Sequence, residues 1–464
     1  MLIINYVHKL QGLDKSLPVC LELREQLGAR VISLIELEPG CLETDVRAFQ
    51  PLIEACSDAS LILAGTHRSR RRGRLVALLD RWQNRNLPGS RLIDAFKVRL
   101  MAKPLRNQIK KLKRSDDDLL LLSIYNGVNT SLGAVLARLT RRLRGLRVGY
   151  LKSLHDQGLG LSDLSSSSAN LTRRLVLEPS LDALLIPALP QFQALLAGKG
   201  VRVDQMIIAG YPPAYQRWRD LVRSHALRHN ESSSFQVVLF TRGEVAHKPG
   251  SEQIIDDRWL HQAIRNLAQE LERLWPGFSL LIKPHPYQSR DELQRICGQH
   301  RNLSLVDGPP CLLAAQADLA IATYSSAILD AVAAEVPSIE WYEPTDAFRR
   351  LHPDGSPFPA FGVLPASNLM ELRSHLESLA AGEWPTCDKI SKLGVSLDLK
   401  PFRRSHNNRA ETVLAQNRGS DHRLGDLLQH GSGDLLGAET RHQSRQGTHM
   451  ESWVDPNPEQ PHRP

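Results

Sequence analysis

The sequence contains no CxxC pair, no GxxxxGK[ST] loop and no apolar run long enough to cross a bilayer, and each absence removes a class of function. Its six cysteines, Cys20, Cys41, Cys56, Cys297, Cys311 and Cys387, are scattered. That spacing fits reduced, mostly buried thiols rather than a disulfide framework or a structural zinc site. Without a glycine loop ending in Lys-Ser/Thr to cradle phosphates, an ATPase or kinase reading has no support. The first residues, MLIINYVHKL, begin apolar but carry neither a basic leader nor a small-residue cleavage site, so a cytoplasmic setting is expected. Aromatic residues make up only 5% and do not interleave with the basic ones, so no stacking platform for nucleic acid is expected. No solenoid-type repeat is visible, and no cluster of His, Asp and Glu has metal-ligand spacing, so no bound metal is expected.

What is present is bulk and rhythm. At 464 residues and 42% hydrophobic content the chain can bury two or three domain cores. Short apolar runs alternate with longer helical stretches, which predicts an α/β architecture with parallel sheets. One series comprises runs beginning at Met1, Val31, Ala59, Asp118, Arg147, Asp182 and Gln205; a second begins at Phe235 and continues through FSLLIKPHP, NLSLVD, DLAIATYSS and PSIEWY. The runs are continuously apolar rather than alternating, as expected of strands covered by helices on both faces. The expected organisation is a Rossmann-like domain over 1–212, a linker over 213–234, a second Rossmann-like domain over 235–400 facing the first across a cleft, and a polar, disordered tail over 401–464. Scattered histidines in that tail lack metal-site spacing and read as low-complexity, solvated sequence.

The net charge of +8 is concentrated in RSRRRGR at 68–74 and KPLRNQIKKLKR at 103–114. Two readings stand for these segments: surfaces that attract anions such as a membrane face or phosphate-bearing substrates, and solvated helix faces that aid solubility.

Two junctions stand out. In LLIKPHPYQSRD a strand pattern stops at Lys283, Pro284, His285 and Pro286. A cation and an imidazole at the carboxyl end of a parallel strand suit a phosphate group, and the prolines fix the backbone that presents them; the plainer reading is a strand terminator. In ATYSSAILD a second strand pattern gives way to a helix, which places Ser325 and Ser326 at its first turn, where hydroxyls cap the helix, bind an anion, or do both. Asp330 follows Ser326 by one turn, where a carboxylate suits ribose hydroxyls or simply lies on the surface. Arg242, at the exit of the strand beginning at Phe235, either adds charge to the same cleft or is solvated.

These motifs, with LDAVAAEVPSI after the serines and GYPPAYQRW at 210–218, resemble the C-terminal half of glycosyltransferases with two Rossmann domains, the GT-B fold. More narrowly they resemble the group of bacterial CDP-glycerol glycerophosphotransferases, capsule Kdo transferases and polysialyltransferases, with their "HP" and "SS" motifs. The resemblance spans roughly residues 200–339 of the chain. It implies that His285, Ser325 and Ser326 contact the phosphate of a nucleotide-activated donor. Where the glycerophosphotransferases carry TDYSS this chain reads ATYSS, a departure from that branch.

The resemblance also implies an acceptor-activating base on the N-terminal side of the cleft. The expected residues are His155 and Asp156 in RVGYLKSLHDQGLG, similar to an HG segment but interrupted by Asp156 and Gln157. Glu244 is a second choice for the base, and an ordinary loop histidine is the plain reading of His155. The expected function is transfer of a sugar or polyol-phosphate from a nucleotide-sugar or CDP/CMP-type donor to a hydroxyl of a glycan or lipid-linked acceptor. No further cofactor is expected; the basic segments would hold the enzyme on the inner face of an anionic membrane. The alternatives are a UDP-N-acetylglucosamine 2-epimerase-like enzyme and a non-catalytic nucleotide-binding scaffold.

Overall fold

Two parallel sheets organise the chain. The computed structural model describes residues 1–8, 12–36, 43–63, 109–114, 117–125, 131–151, 181–186, 201–227, 234–242, 255–285, 288–351 and 355–384, with a few isolated positions besides. The first sheet contains β1 (Leu2–Val7), β2 (Arg30–Glu36), β3 (Ala59–Leu63), β4 (Leu119–Ile124), β5 (Leu146–Tyr150), β6 (Ala183–Ile186) and β7 (Met206–Ile208). Their spatial order is β3-β2-β1-β4-β5-β6-β7. The second contains β8 (Gln236–Phe240), β9 (Ser279–Lys283), β10 (Leu303–Leu305), β11 (Leu319–Ala322), β12 (Ser338–Trp341) and β13 (Leu364–Ala366), in the order β10-β9-β8-β11-β12-β13. Each sheet therefore starts in its middle, builds outward one way, and returns to build the other way. The reversal falls between β1 and β4 in the first and between β8 and β11 in the second.

The continuous apolar runs are explained by what each strand face meets. In β1, Leu2, Ile4 and Tyr6 join one core with Leu119 and Leu121 of β4, while Ile3 and Val7 join another with Leu120, Leu122 and Ile124. Alternate side chains point to opposite faces of a strand, so a sheet with a core on both faces requires apolar residues throughout. The first of these cores is closed by α3 (Ser131–Arg142), through Leu132, Val135, Leu136 and Leu139. The second is closed by α1 (Leu13–Leu27) and α2 (Glu43–Cys56) and runs on to Tyr215, Trp218 and Val222 around α4 (Gln216–Leu227). Asn5, fully buried in β1, is held by Ser33 Oγ at 3.3 Å, and Ser33 in turn by Ser57 at 2.7 Å.

In the second sheet α5 (Asp257–Leu274) lays Leu260, Ile264, Leu267 and Leu271 on the core at helical spacing. Its N-terminus is capped by Asp256, which accepts from the Arg258 N–H at 2.7 Å. The remaining helices are α6 (Asp291–Gln299), α7 (Pro310–Gln316), α8 (Ile328–Ala333), α9 (Asp346–Leu351) and α10 (Leu369–Ala380). α4 packs against α7 on one side and α1 and α2 on the other, so it ties the two sheets together. Cys311 of α7 lies in the core otherwise built by the first sheet. The four described cysteines, Cys20, Cys56, Cys297 and Cys311, are free thiols. No described helix is long and apolar enough to cross a membrane.

The strands of the first sheet fall where the apolar runs place them. β13 was not expected: it is three residues long, contains Pro365, and forms the outer edge, where a residue without an N–H is tolerated. α8 starts at Ile328, later than the serines, and spans six residues.

Glu340 lies within β12, opposite Ala322 of β11 and Pro365 of β13, and is 1% exposed. The Ser356 hydroxyl bonds to it, but Oε1 has no hydrogen-bond partner, and burial pushes its pKa to about 8. Because the folded value exceeds the ordinary glutamate value of 4.5, this group favours the fold at low pH and loses that contribution as pH rises from 4.5 through 8. Glu340→Gln should therefore match the wild type near pH 4 and exceed it by pH 8.5, with about 5 kcal/mol as the upper limit of the gain. Urea unfolding followed by circular dichroism at both pH values measures it, and equal stabilities at pH 8.5 would contradict the neutral carboxyl.

Candidate active site

Parallel sheets of this kind bind ligands beyond the carboxyl ends of their strands, at the point where strand order reverses. In the second sheet that point is flanked by Arg242 after β8 and by the turn Thr323–Ser326 after β11, with Lys283 ending the adjoining strand β9 and His285 two residues beyond it. Hydrogen bonds fix these three chain exits to each other. The backbone N–H of Arg242 donates to Thr323 Oγ1 at 2.8 Å, that of Thr323 to the Phe240 carbonyl at 3.0 Å, and that of Thr241 to the Lys283 carbonyl at 3.0 Å.

Gln288, 7% exposed, locks the Pro-His-Pro turn to β8. Its Oε1 accepts from the Thr241 hydroxyl at 2.8 Å and from the His285 N–H at 3.4 Å, and its own N–H donates to the His285 carbonyl at 2.9 Å. Thr241 and Gln288 are supporting residues that sequence reasoning missed, because an uncharged Thr and Gln carry no signal until their strands are paired.

The serine turn is held from the other side. Tyr324 has φ of +53°, a left-handed conformation costly for a bulky residue. Its ring, 2% exposed, packs edge-on against Phe348 with centroids 4.7 Å apart, and near Tyr342 and Phe358 at 5.7 and 5.9 Å. The Arg242 guanidinium lies 5.7 Å from the same ring centroid, within cation–π range. Ser325 is half-buried and Ser326 exposed. Ser325 Oγ accepts from the Ala327 N–H at 3.4 Å, and the Ser325 and Ser326 carbonyls accept from the N–H groups of Ile328 and Leu329 at 3.1 and 3.2 Å. The hydroxyls thus sit in a tight turn ahead of α8 rather than in its first turn.

The first sheet brings its own reversal point to bear. α1 starts just beyond β1 at Gly12, where a Cβ would stand 2.7 Å from the Tyr150 hydroxyl, so only glycine fits. Asp14, 8% exposed, and Lys15 follow in its first turn. Lys15 Nζ donates to the Tyr211 hydroxyl at 2.7 Å and lies 4.2 Å from that ring's centroid. Asp330, on α8 of the second sheet, is 5% exposed and faces the same ammonium.

Burial is the main force on this group. It pushes Asp14 well above the usual carboxylate range; repulsion from Asp330 adds to that, while Lys15 and Lys283 pull it back. It pushes Asp330 up to about 6 against the pull of Lys15. It also draws Lys15 down, with Asp330 and then Asp14 holding it up. Asp14 Oδ1 and Asp330 Oδ1 are both buried without a hydrogen-bond partner. Lys15 is thus the shared counter-ion of two carboxylates from different sheets. For Asp330 to reach a ribose, its carboxylate has to leave that ammonium.

The structure therefore brings Lys283, His285, Arg242, Ser325 and Ser326 to one sheet edge, and places Asp330 among Lys15, Asp14 and Tyr211. His155, Asp156 and Glu244 lie outside the described residues, as do the basic segment at 68–74, the start of that at 103–114, and the tail apart from Phe402. Of the second basic segment, Lys110, Lys111 and Arg114 are exposed. Among the described residues no three His, Cys, Asp or Glu side chains converge as a metal site would require.

No protein-family model matches the chain, and no curated protein matches it by sequence. Among solved structures, the UDP-GlcNAc 2-epimerase of Methanocaldococcus jannaschii superposes with a TM-score of 0.50 at 11% identity, over 89% of this chain and 100% of the epimerase. The UDP-GlcNAc 2-epimerase of Neisseria meningitidis, solved with UDP-GlcNAc bound, gives 0.48 at 13% identity over 89% and 100% of the two chains. Escherichia coli ADP-heptose lps heptosyltransferase II gives 0.43 at 11% identity over 82% and 99%. At such identities the likeness is one of fold: two Rossmann-like lobes of the GT-B type. It shows the fold and not a particular family within it.

Replacing Lys15 with Met should leave two carboxylates without their shared counter-ion and cost about 3 kcal/mol at pH 7.5. The loss should shrink at pH 5, where both carboxyls take up protons. Urea denaturation at the two pH values checks this; an equal loss at both would assign Lys15 a packing role instead.

Proposed function

We propose that the protein is a glycosyltransferase-like enzyme that moves a sugar or polyol-phosphate from a nucleotide-activated donor to a hydroxyl of a surface polysaccharide or lipid-linked acceptor. The observation that carries this reading is the meeting of a cation, an imidazole, a guanidinium and two hydroxyls where the second sheet reverses its strand order. β9 and β11 flank β8, so the two motifs stand two strand spacings apart, about 10 Å. Lys283 and His285 occupy one bank, Ser325 and Ser326 the other, and Arg242 the middle. A diphosphate spans such a gap; a single small anion does not.

In this reading the side-chain cations stabilise the leaving nucleotide as charge develops on it, and the prepaid backbone ties through Thr241, Gln288 and Thr323 keep those groups from reorganising. A base from the segment after β5, His155 or Asp156, takes the proton of the acceptor hydroxyl. The Lys15 group forms the floor where the lobes meet. The exposed lysines and the basic segments would hold the enzyme against an anionic membrane carrying its acceptor. A second reading draws on the fold shared with the archaeal UDP-GlcNAc 2-epimerase: the same donor edge holding a nucleotide sugar whose ring is inverted at C2 and not transferred.

A thermal-shift panel of CMP, CDP, UDP and GDP tests the donor edge. A nucleoside diphosphate should raise Tm more than CMP does. Ser326→Ala and His285→Ala should each weaken that binding, the latter about tenfold, with Tm of the ligand-free protein little changed. No shift with any nucleotide, or unchanged affinity in both variants, would refute the assignment. Incubation with UDP-GlcNAc, followed by proton NMR, separates the readings: a C2 epimer favours the epimerase.

A further inference from the structure

We propose that a second ligand site lies on the same carboxyl edge, one strand beyond the serine turn, and that it takes one neutral saccharide ring. It is a cavity of about 220 Å³ between the starts of α5 and α10 and the end of β12. Trp341 closes β12, and because Glu340 is aligned with Ala322, Trp341 stands level with Thr323 on the neighbouring strand. The serine turn and this cavity are thus about 5 Å apart in strand spacing. Trp259 and Gln262 come from the first two turns of α5, which start at the same edge.

The two indoles set the shape. Their centroids are 5.5 Å apart and their planes meet at 66°, forming a corner. Trp341 is 2% exposed and fixed by the core, whereas Trp259 is partly exposed, packs against the same core and lines the cavity. An indole wall suits the apolar C–H face of a pyranose, whose hydroxyls then need both donors and acceptors around the rim.

The rim offers both. The Gln262 amide donates to Asn266 Oδ1 at 2.9 Å, which leaves the Gln262 carbonyl as an acceptor and the Asn266 amide N–H as a donor. Glu343 adds an exposed carboxylate. Asn368, by contrast, is committed to capping α10, accepting from the Glu371 N–H at 2.9 Å.

The chemistry selects against other ligands. No Lys or Arg is among the lining residues, so a phosphate finds no counter-charge and meets Glu343 instead. A planar base is best held in a slot between parallel plates or on an open platform, and a 66° corner provides neither. A quaternary ammonium would suit the indoles and Glu343 but leaves the Gln262 and Asn266 amides unused, and choline is tested against the sugar for that reason. A ring hydroxyl, being donor and acceptor at once, matches the whole set. That the ring belongs to the acceptor glycan rests on the transferase reading above; that the corner binds a saccharide does not.

The test is calorimetric and fluorescence titration of the full-length protein with maltose, cellobiose and diacetylchitobiose, each with and without UDP. At least one should bind with Kd on the order of millimolar and alter tryptophan emission. Trp259→Ala, a change at a partly exposed position, should weaken it about tenfold and abolish the emission change, and Glu343→Gln should weaken it severalfold. Neither variant should alter the nucleotide-induced Tm shift. The site is overturned if none of the three sugars binds, if Trp259→Ala binds as tightly as the wild type, or if uridine, cytidine or choline displaces the sugar. Sugar binding in a protein that ignores every nucleotide would sink the transferase reading and leave this site standing.

Discussion

The two lobes depend on one ammonium. Lys15, in the first turn of the first helix, is shared by Asp14 beside it and Asp330 from the other sheet, and it is anchored by the Tyr211 hydroxyl at 2.7 Å. Taking charges out of water is costly, and a carboxylate with no hydrogen-bond partner on one oxygen is tolerated only where an opposite charge is close. Each partner is therefore dependent on the others. Asp330 lies in the first turn of a helix that follows directly from the serine turn, and Lys283, which also acts on Asp14, ends the strand that leads to His285. The carboxyl edge of the second sheet and the balance of charge at the lobe junction are thereby joined through a few residues.

Around that junction the architecture repeats itself. Both sheets run in the same order for their first six strands, so both offer a crevice at their reversal point. A strand end fixes the backbone of the residue that leaves it, and ladder hydrogen bonds such as Thr241 to Lys283 and Thr323 to Phe240 set neighbouring exits against one another. The side chains that face solvent are then placed by rigid elements, which lowers the ordering cost of any ligand they hold.

Much of this was legible in the sequence, and the remainder had physical reasons to be hidden. Strands with a core on both faces announce themselves as unbroken apolar runs, which is why β1 and β4 were readable from Leu2 and Leu119 onward. β13 was not, because three residues around a proline at a sheet edge look like loop. The grouping of His285 with Ser325 was readable because parallel strands all deliver their carboxyl ends to one edge. Asp14 and Lys15 looked like an ordinary charged helix start; only the approach of Asp330, more than three hundred positions away, turns them into a junction. Trp259 and Trp341 meet through tertiary packing alone, and no spacing rule connects them.

Tyr324 carries a consequence for how heat acts on the donor edge. Its left-handed backbone persists because Phe348, Tyr342 and Phe358 clamp its ring. The clamp comes from the residue after β12, the short α9 and the segment before β13, all within the core of the second sheet. Warming that loosens this packing would let the peptide relax toward ordinary geometry and carry Ser325 and Ser326 with it. The placement of the two serines is thus set to fail together with the core of the second sheet and not ahead of it.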